Sequence, residues 1–296
     1  MSKLLAVGSA AADITLYVDC FPQVGGDETI KEITRNAGGC AFNCADAVRL
    51  CGGNVSLAAP VGTGEYGDFM RSEIAKRGLT GTFDVHGENG CCFCAVDLCG
   101  ERTFLVKQGA EYDITSEMLA SVDMTDITDI YFCGLETERD CGYDIIEFLE
   151  KNSDKRLYFA PGPRLANISE DKLDRINALH PVYHLNDTEA LDYAAVRDIK
   201  KAAEIIFYRT GGTVIITLGK YGAYLWDESY HGLIEGCPAE TTNTTGAGDT
   251  HIGAYIAKLM SGAQPCDAVS FANRIAAAAI SGGDREENIV KALGEF

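Results

Sequence analysis

Six consecutive residues, Thr244-Thr245-Gly246-Ala247-Gly248-Asp249, combine a bare backbone with a carboxylate. Two glycines around one alanine leave room for successive N–H groups to turn toward one point. After Asp249, the residues Ile252, Tyr255, Ile256 and Leu259 recur at three- and four-residue spacing, which is a helical pattern. Free N–H groups at a helix N-terminus, on the positive end of its dipole, make an anion site. A carboxylate in that first turn is expected to be ionised at neutral pH. An anion cradle beside a fixed carboxylate suits phosphoryl transfer to a hydroxyl. Gly246, Ala247 and Gly248 would meet the phosphoryl charge, and Asp249 would orient the acceptor O–H and take its proton. The same residues also fit a plain glycine turn followed by an early-helix Asp, which is common.

Four other stretches carry residues with chemical potential. Ala37-Gly38-Gly39-Cys40-Ala41-Phe42-Asn43 permits close backbone approach before a small-residue helix that ends at Gly52-Gly53. Asp13 stands alone after the apolar run 3–8, as a turn residue or as a carboxylate aimed into a pocket at a strand end. Asn186-Asp187-Thr188-Glu189 follows an apolar strand. It can be a helix cap, and its oxygen ligands also suit Mg²⁺ with water. Arg164, after Pro161-Gly162-Pro163, is one of few cations near a strand end and can reach substrate or phosphate, although an ordinary surface Arg fits equally well.

Together these motifs resemble the PfkB/ribokinase family of small-molecule kinases over nearly the whole chain. Thr244 to Asp249 is similar to the family's C-terminal signature, and Gly38-Gly39 followed by Asn43 to its N-terminal one. The resemblance implies that Asp13, Gly39 and Asn43 hold the acceptor. It implies that Asn186 and Glu189 help hold Mg²⁺ and water near the phosphates of ATP. It also places Thr217, Gly219 and Gly222, in the stretch Thr217-Leu218-Gly219-Lys220-Tyr221-Gly222, at the nucleotide, and Asn273 by the adenine. Members acting on phosphorylated sugars carry Lys where this chain has Cys40, so the acceptor is expected to be uncharged. Two residues depart from the pattern. Asn243 replaces an Asp near the family's monovalent-cation loop, which weakens the case for potassium activation, and His251 replaces an aromatic residue. The implied activity is ATP-dependent phosphorylation of a sugar or sugar-like hydroxyl. A nucleoside kinase of the same fold and a non-catalytic sugar- or nucleotide-binding protein are the alternatives.

The elements that must position these residues can be read from the rest of the 296-residue chain. Apolar strands at 128–133, 156–160, 181–185 and 213–218 alternate with helical patterns, which implies a parallel sheet with helices on both faces. Two pairs of short strands, 14–19 with 28–34 and 91–98 with 102–107, interrupt that rhythm. The resemblance makes them a lid over the sugar site, formed by about 12–35 and 88–108, and the contact of a homodimer. The expectation is one three-layer α/β/α, doubly wound domain over 1–296 with a small inserted β-sheet. Gly62-Thr63-Gly64-Glu65-Tyr66-Gly67, with Asp84 beyond it, imitates a dinucleotide fingerprint, but a Rossmann half would carry its glycines after the first strand. A Walker-type P-loop is excluded because no Gly-x₄-Gly-Lys-Ser/Thr occurs.

Composition narrows the partners. A net charge of −19 argues against nucleic acid and anionic membrane surfaces. No apolar run reaches membrane-spanning length and the first residues read as a strand, so a cytoplasmic protein is expected. Of twelve cysteines, Cys91, Cys92, Cys94 and Cys99 cluster without His or a zinc spacing, and are read as structural thiols on a strand.

Overall fold

A computed structural model describes residues 2–239 and 245–294. Asn243 and Thr244 therefore lie outside the described residues. The main sheet has eight strands in the order 231–235, 222–226, 214–217, 182–186, 156–160, 127–133, 3–7, 54–58. From Val214–Thr217 to Asn54–Ala58 the neighbours are parallel, whereas Gly222–Trp226 runs antiparallel to both of its neighbours, Val214–Thr217 and His231–Glu235. Alternate residues of each strand face opposite sides. Leu4, Ala6, Tyr131 and Tyr158 pack under the helices Cys40–Leu50, Ala247–Met260 and Pro265–Ala279. Leu5, Val7, Phe132 and Phe159 join the opposite core, against Gly142–Lys151, Asp187–Ala194 and Ile199–Thr210. The molecule is thus the expected three-layer, doubly wound α/β fold.

The Ala247–Met260 helix is buried without a break from Thr250 to Ala257. A helix apolar on all sides must be enclosed, and this one lies between the sheet and its two neighbouring helices. Burial of Ile252 and Ile256 contributes roughly 1.5–3 kcal/mol each. Gly253 sets the approach of the Cys40–Leu50 helix, because a Cβ there would lie 2.6 Å from the Cys44 carbonyl oxygen. The first turns of the two helices are therefore held side by side.

The second sheet is separate and has four strands, in the order Glu32–Gly38, Ala11–Tyr17, Cys91–Val96, Arg102–Lys107. The first pair is shifted from the expected 14–19 and 28–34. It runs antiparallel from Ala11 opposite Gly38 to Tyr17 opposite Glu32, so the second strand continues into the Gly-Gly motif. The turn around Gln23 and Gly26 lies well inside a long connection rather than at a tight hairpin, and this hid the register.

The chain before the Gly62–Gly67 stretch is split between two sheets: Asn54–Ala58 joins the main sheet, and Pro60–Thr63 pairs in parallel with Phe83–Glu88. Asp84 lies on that partner strand, exposed and paired with Arg71 at 2.9 Å. Asn273 sits inside the Pro265–Ala279 helix, whose first turn holds Pro265.

Candidate active site

Both signature helices start without a side-chain cap. Gly39 (φ 95°) and Gly246 (φ 72°) supply left-handed N-cap conformations that other residues adopt only with strain. At the Ala247 helix, the first intrahelical bond runs from the Thr250 N–H to the Gly246 carbonyl at 2.9 Å. The N–H groups of Ala247, Gly248 and Asp249 precede it and have no partner within the helix. A Cβ on Gly248 would meet no described atom within 4 Å, and Ala247 and Gly248 line a cavity.

Asn43 and Asp249 meet across the two helices, with Asn43 Nδ2 donating to Asp249 Oδ2 at 3.0 Å. The chain separates them by 206 residues. Asp13 approaches from the small sheet, and Gly38 on the neighbouring strand makes room for it, since a Cβ there would collide with its carboxylate. Burial raises Asp13 to about 6, with a further push from the Asp249 charge. Burial likewise raises Asp249 to about 6, opposed by the Asn43 hydrogen bond and by the Arg285 charge. Desolvation is the largest influence on the Asp249 carboxyl. Asp249 is still mostly ionised at pH 7, and a base near 6 is well matched to neutral-pH proton transfer.

Two cavities meet at this point. The larger, about 510 Å³, lies under the small sheet and is lined by Asp13, Thr15, Asn36, Asn43, Cys92 and Arg285, among others. The smaller, about 210 Å³, is lined by Thr217, Gly219, Gly222, Ala247, Gly248 and Asn273. Gly246 belongs to the first, Ala247 and Gly248 to the second, and Ile280 to both.

The nucleotide-side motifs have a definite local logic. Asn186 and Glu189 form a full capping box: Asn186 Oδ1 accepts from the Glu189 N–H at 2.8 Å, and Glu189 Oε2 from the Asn186 N–H at 3.0 Å. Burial raises the Glu189 carboxyl, the Asn186 bond lowers it, and the Asp249 charge raises it again. Asn273 has both N–H groups on the carbonyls of Ile234 and Glu235, so its Oδ1 accepts from His251 Nε2 at 3.0 Å. Its amide is thus occupied by protein and shapes the cavity wall. His251 Nδ1 in turn accepts from His184 Nε2 at 3.0 Å. Burial holds His251 down at about 4 and His184 well below the ordinary imidazole range, so both rings are neutral at pH 7.

One expectation fails and several residues were missed. Arg164 lines neither cavity; it sits in the turn after the 156–160 strand and pairs with Glu138 at 3.5 Å. The proline-rich turn carries its side chain to a neighbouring acid rather than into the site. Thr15 and Asn36 join Asp13 on the wall of the larger cavity, because alternation on paired strands puts them on its face. That alternation was readable, but the register was not. Glu136 is a buried carboxyl beside Gly8, held by Cys133 Sγ at 2.8 Å and raised by burial, and no local motif announces it. Cys92 and Cys94 line the larger cavity while Cys91 faces the core, as a strand requires. No cluster of metal-binding side chains occurs among the described residues.

The profile of the pfkB family carbohydrate kinases matches residues 1–289. A sugar kinase of Escherichia coli, YegV, is 33% identical over 291 residues, covering 95% of this chain and 90% of the relative. The fold is similar to that of Thermotoga maritima ribokinase, with a TM-score of 0.84 at 22% identity over 100% of this chain and 98% of that one. It is also similar to the fold of a Burkholderia thailandensis nucleoside kinase solved with inosine, with a TM-score of 0.79 at 20% identity, covering 99% and 97% of the two chains.

Proposed function

Because the chain belongs to the pfkB family of carbohydrate kinases, we propose that it phosphorylates one hydroxyl of an uncharged sugar with ATP, the larger cavity holding the sugar and the smaller one the nucleotide. The observation that carries this reading is the position of Asp249. It stands in the first turn of a glycine-started helix, directly after Gly246 on the wall of the larger cavity and Ala247 and Gly248 on the wall of the smaller, and is hydrogen-bonded to Asn43, which lines the larger. Asp13 and Asn43 hold the acceptor. Asp249 accepts the hydroxyl proton as the new O–P bond forms and the bond to the leaving diphosphate breaks. The N–H groups of the first turn take up the charge on the transferred phosphoryl oxygens.

Thr217, Gly219, Gly222 and Asn273 form the walls for ATP. Glu189, with Asn186, suits water-mediated Mg²⁺, since each carboxylate oxygen keeps a lone pair beyond its bond to Asn186. Bound there, the ion would screen the phosphate charges. A nucleoside acceptor is the second reading, favoured by the size of the larger cavity and by Phe42, Phe69 and Phe104 on its walls. The small sheet is the proposed lid and homodimer contact. Its edge strand Arg102–Lys107 exposes Phe104, Leu105 and Val106, and Ile33 is exposed on the opposite edge strand. Leu105→Glu should then shift the mass measured by light scattering from dimer to monomer. No helix among the described residues is long and apolar enough to cross a membrane.

The test is a panel of free sugars and nucleosides with MgATP, reading ADP formation and the phosphorylated product by mass. A single strongly preferred sugar supports the proposal, and a preferred nucleoside moves it to the second reading. ADP formation indifferent to every acceptor would defeat both.

A further inference from the structure

Arg285 lies at the start of the Arg285–Gly294 helix, outside every signature motif, yet it reaches both helices of the site. Its Nη1 pairs with Asp46 Oδ2 at 2.7 Å, and its Nη2 donates to Thr250 Oγ1 at 3.1 Å. Asp46 lies three residues beyond Asn43 on the Cys40–Leu50 helix, and so on the same side of it. Thr250 follows Asp249, and its hydroxyl donates to the Gly246 carbonyl at 2.8 Å, closing the turn that carries the open N–H groups. Asp46 and Thr250 are both almost wholly buried. Asp46 is itself fixed from behind, its Oδ1 accepting from Arg49 Nε at 3.0 Å and facing Arg77 Nε at 3.3 Å.

From this geometry we propose that Arg285 is a positioning residue. By bridging Asp46 to Thr250 it locks the N-terminal halves of the two helices together, and so keeps Asn43 and Asp249 in register for phosphoryl transfer. The role in transfer rests on the proposed kinase function, whereas the bridge does not. Two tethers, Asn43–Asp249 and Asp46–Arg285–Thr250, join the helices, anchored about one turn apart on the Cys40–Leu50 helix and at successive residues on the Ala247–Met260 helix, and two points of attachment stop them rocking about one. Misplacement of a reacting group by about 1 Å can cost on the order of 10²-fold in rate. The bridge also brings a cation to bear on Asp249. The other groups acting with or upon that carboxylate are Asp13 from the small sheet, Cys40, Asn43 and Cys44 from the Cys40 helix, Tyr131 from the sheet and Glu189 from the Asp187 helix.

The experiment compares Arg285→Met, Arg285→Lys and Thr250→Val with the parent protein, first without ligand. Amide hydrogen exchange over 40–47 and 247–254 should speed up in all three, by about tenfold or more in the methionine variant, where local opening becomes easier. A carboxyl carbon NMR titration of Asp249 should move upward from about 6 only in the methionine variant. Lysine keeps the charge and Thr250→Val leaves Arg285 in place, so loosening alone does not move the titration. With MgATP and D-ribose, or inosine if ribose is not turned over, kcat should fall by about 10–10²-fold in Arg285→Met while KM for ATP changes little. Unchanged exchange in both Arg285→Lys and Thr250→Val would overturn the bridge, even if Arg285→Met failed to fold. Faster exchange with kcat within twofold of the parent would overturn the positioning role. If neither ribose nor inosine nor any other acceptor is turned over, the proposed function falls, while exchange and titration still decide whether the bridge exists.

Discussion

Two helices flank the site and begin in opposite ways. Asp187–Ala194 closes its first turn with the Asn186–Glu189 capping box, so its backbone donors are answered by its own side chains. Ala247–Met260 begins on a left-handed glycine, has no side-chain cap, and leaves its first N–H groups facing a cavity. A capped start contributes stability. An uncapped start gives that up and keeps donors available for an anion. The Ile199–Thr210 helix, away from the cavities and capped by Asp198 at 2.8 Å, shows the closed form where no ligand is involved. Side-chain caps are also absent from Gly64–Lys76, Gly142–Lys151, Glu170–Asn177 and Pro265–Ala279, so what sets the Ala247 start apart is that Ala247 and Gly248 line a cavity.

The strongest way to break this contrast is Asp249→Asn. Turnover should fall by about 10²–10⁴-fold, the range for a positioned base, with the fold and nucleotide binding intact. Stability should move the other way. A carboxyl raised to about 6 in the folded state supports folding below its unfolded value, and that support is lost as pH rises through 6. The variant should therefore melt higher than the parent at pH 8 and equally at pH 4. A drop in melting temperature at pH 8 would make Asp249 structural. In the parent, kcat/KM should decline as pH falls through about 6, where Asp13 and Asp249 titrate as a pair.

Gly248→Ala comes next. A Cβ there meets no described atom within 4 Å and Gly248 has no positive φ, so no strain is introduced and the melting temperature should hold or rise. The methyl enters the space assigned to the phosphoryl group, and kcat should fall by about 10²–10³-fold, as for loss of one oxyanion donor. Near-parental kcat would remove the open start from the mechanism.

Asn43→Ala sharpens the comparison from the acceptor side. KM for the acceptor should rise by roughly tenfold, the loss of about one hydrogen bond to a polar ligand. KM for ATP should stay nearly level. Because the Asn43 bond lowers Asp249, the acid limb of kcat/KM should also move upward. A parallel rise in both KM values would mean that Asn43 does not distinguish the two cavities. The smallest effect is expected at a closed start: Asp198→Ala should cost about 1 kcal/mol in stability and leave kcat untouched.

Much of this was legible in the linear chain, because some physical constraints are local. Alternating apolar strands and helical periods specify a parallel three-layer sheet, since each element must bury a face whatever its neighbours are. Gly246 and Gly39 announce uncapped helix starts, because an L side chain is strained at those φ angles. Asn186 and Glu189 announce a capping box by their spacing alone. Other features depend on what lies opposite, and no local pattern contains that. The register of Glu32–Gly38 against Ala11–Tyr17 decided that Thr15 and Asn36 face the cavity. Burial, which belongs to the assembled fold, decided that Asp249 and Asp13 sit near 6 rather than in the ordinary carboxylate range. Packing likewise turned Arg164 toward Glu138 and brought Arg285 to Asp46 and Thr250. The chain by itself determined which groups could do chemistry; the tertiary structure decided which of them meet, because desolvation and contact across hundreds of residues arise only once the layers close.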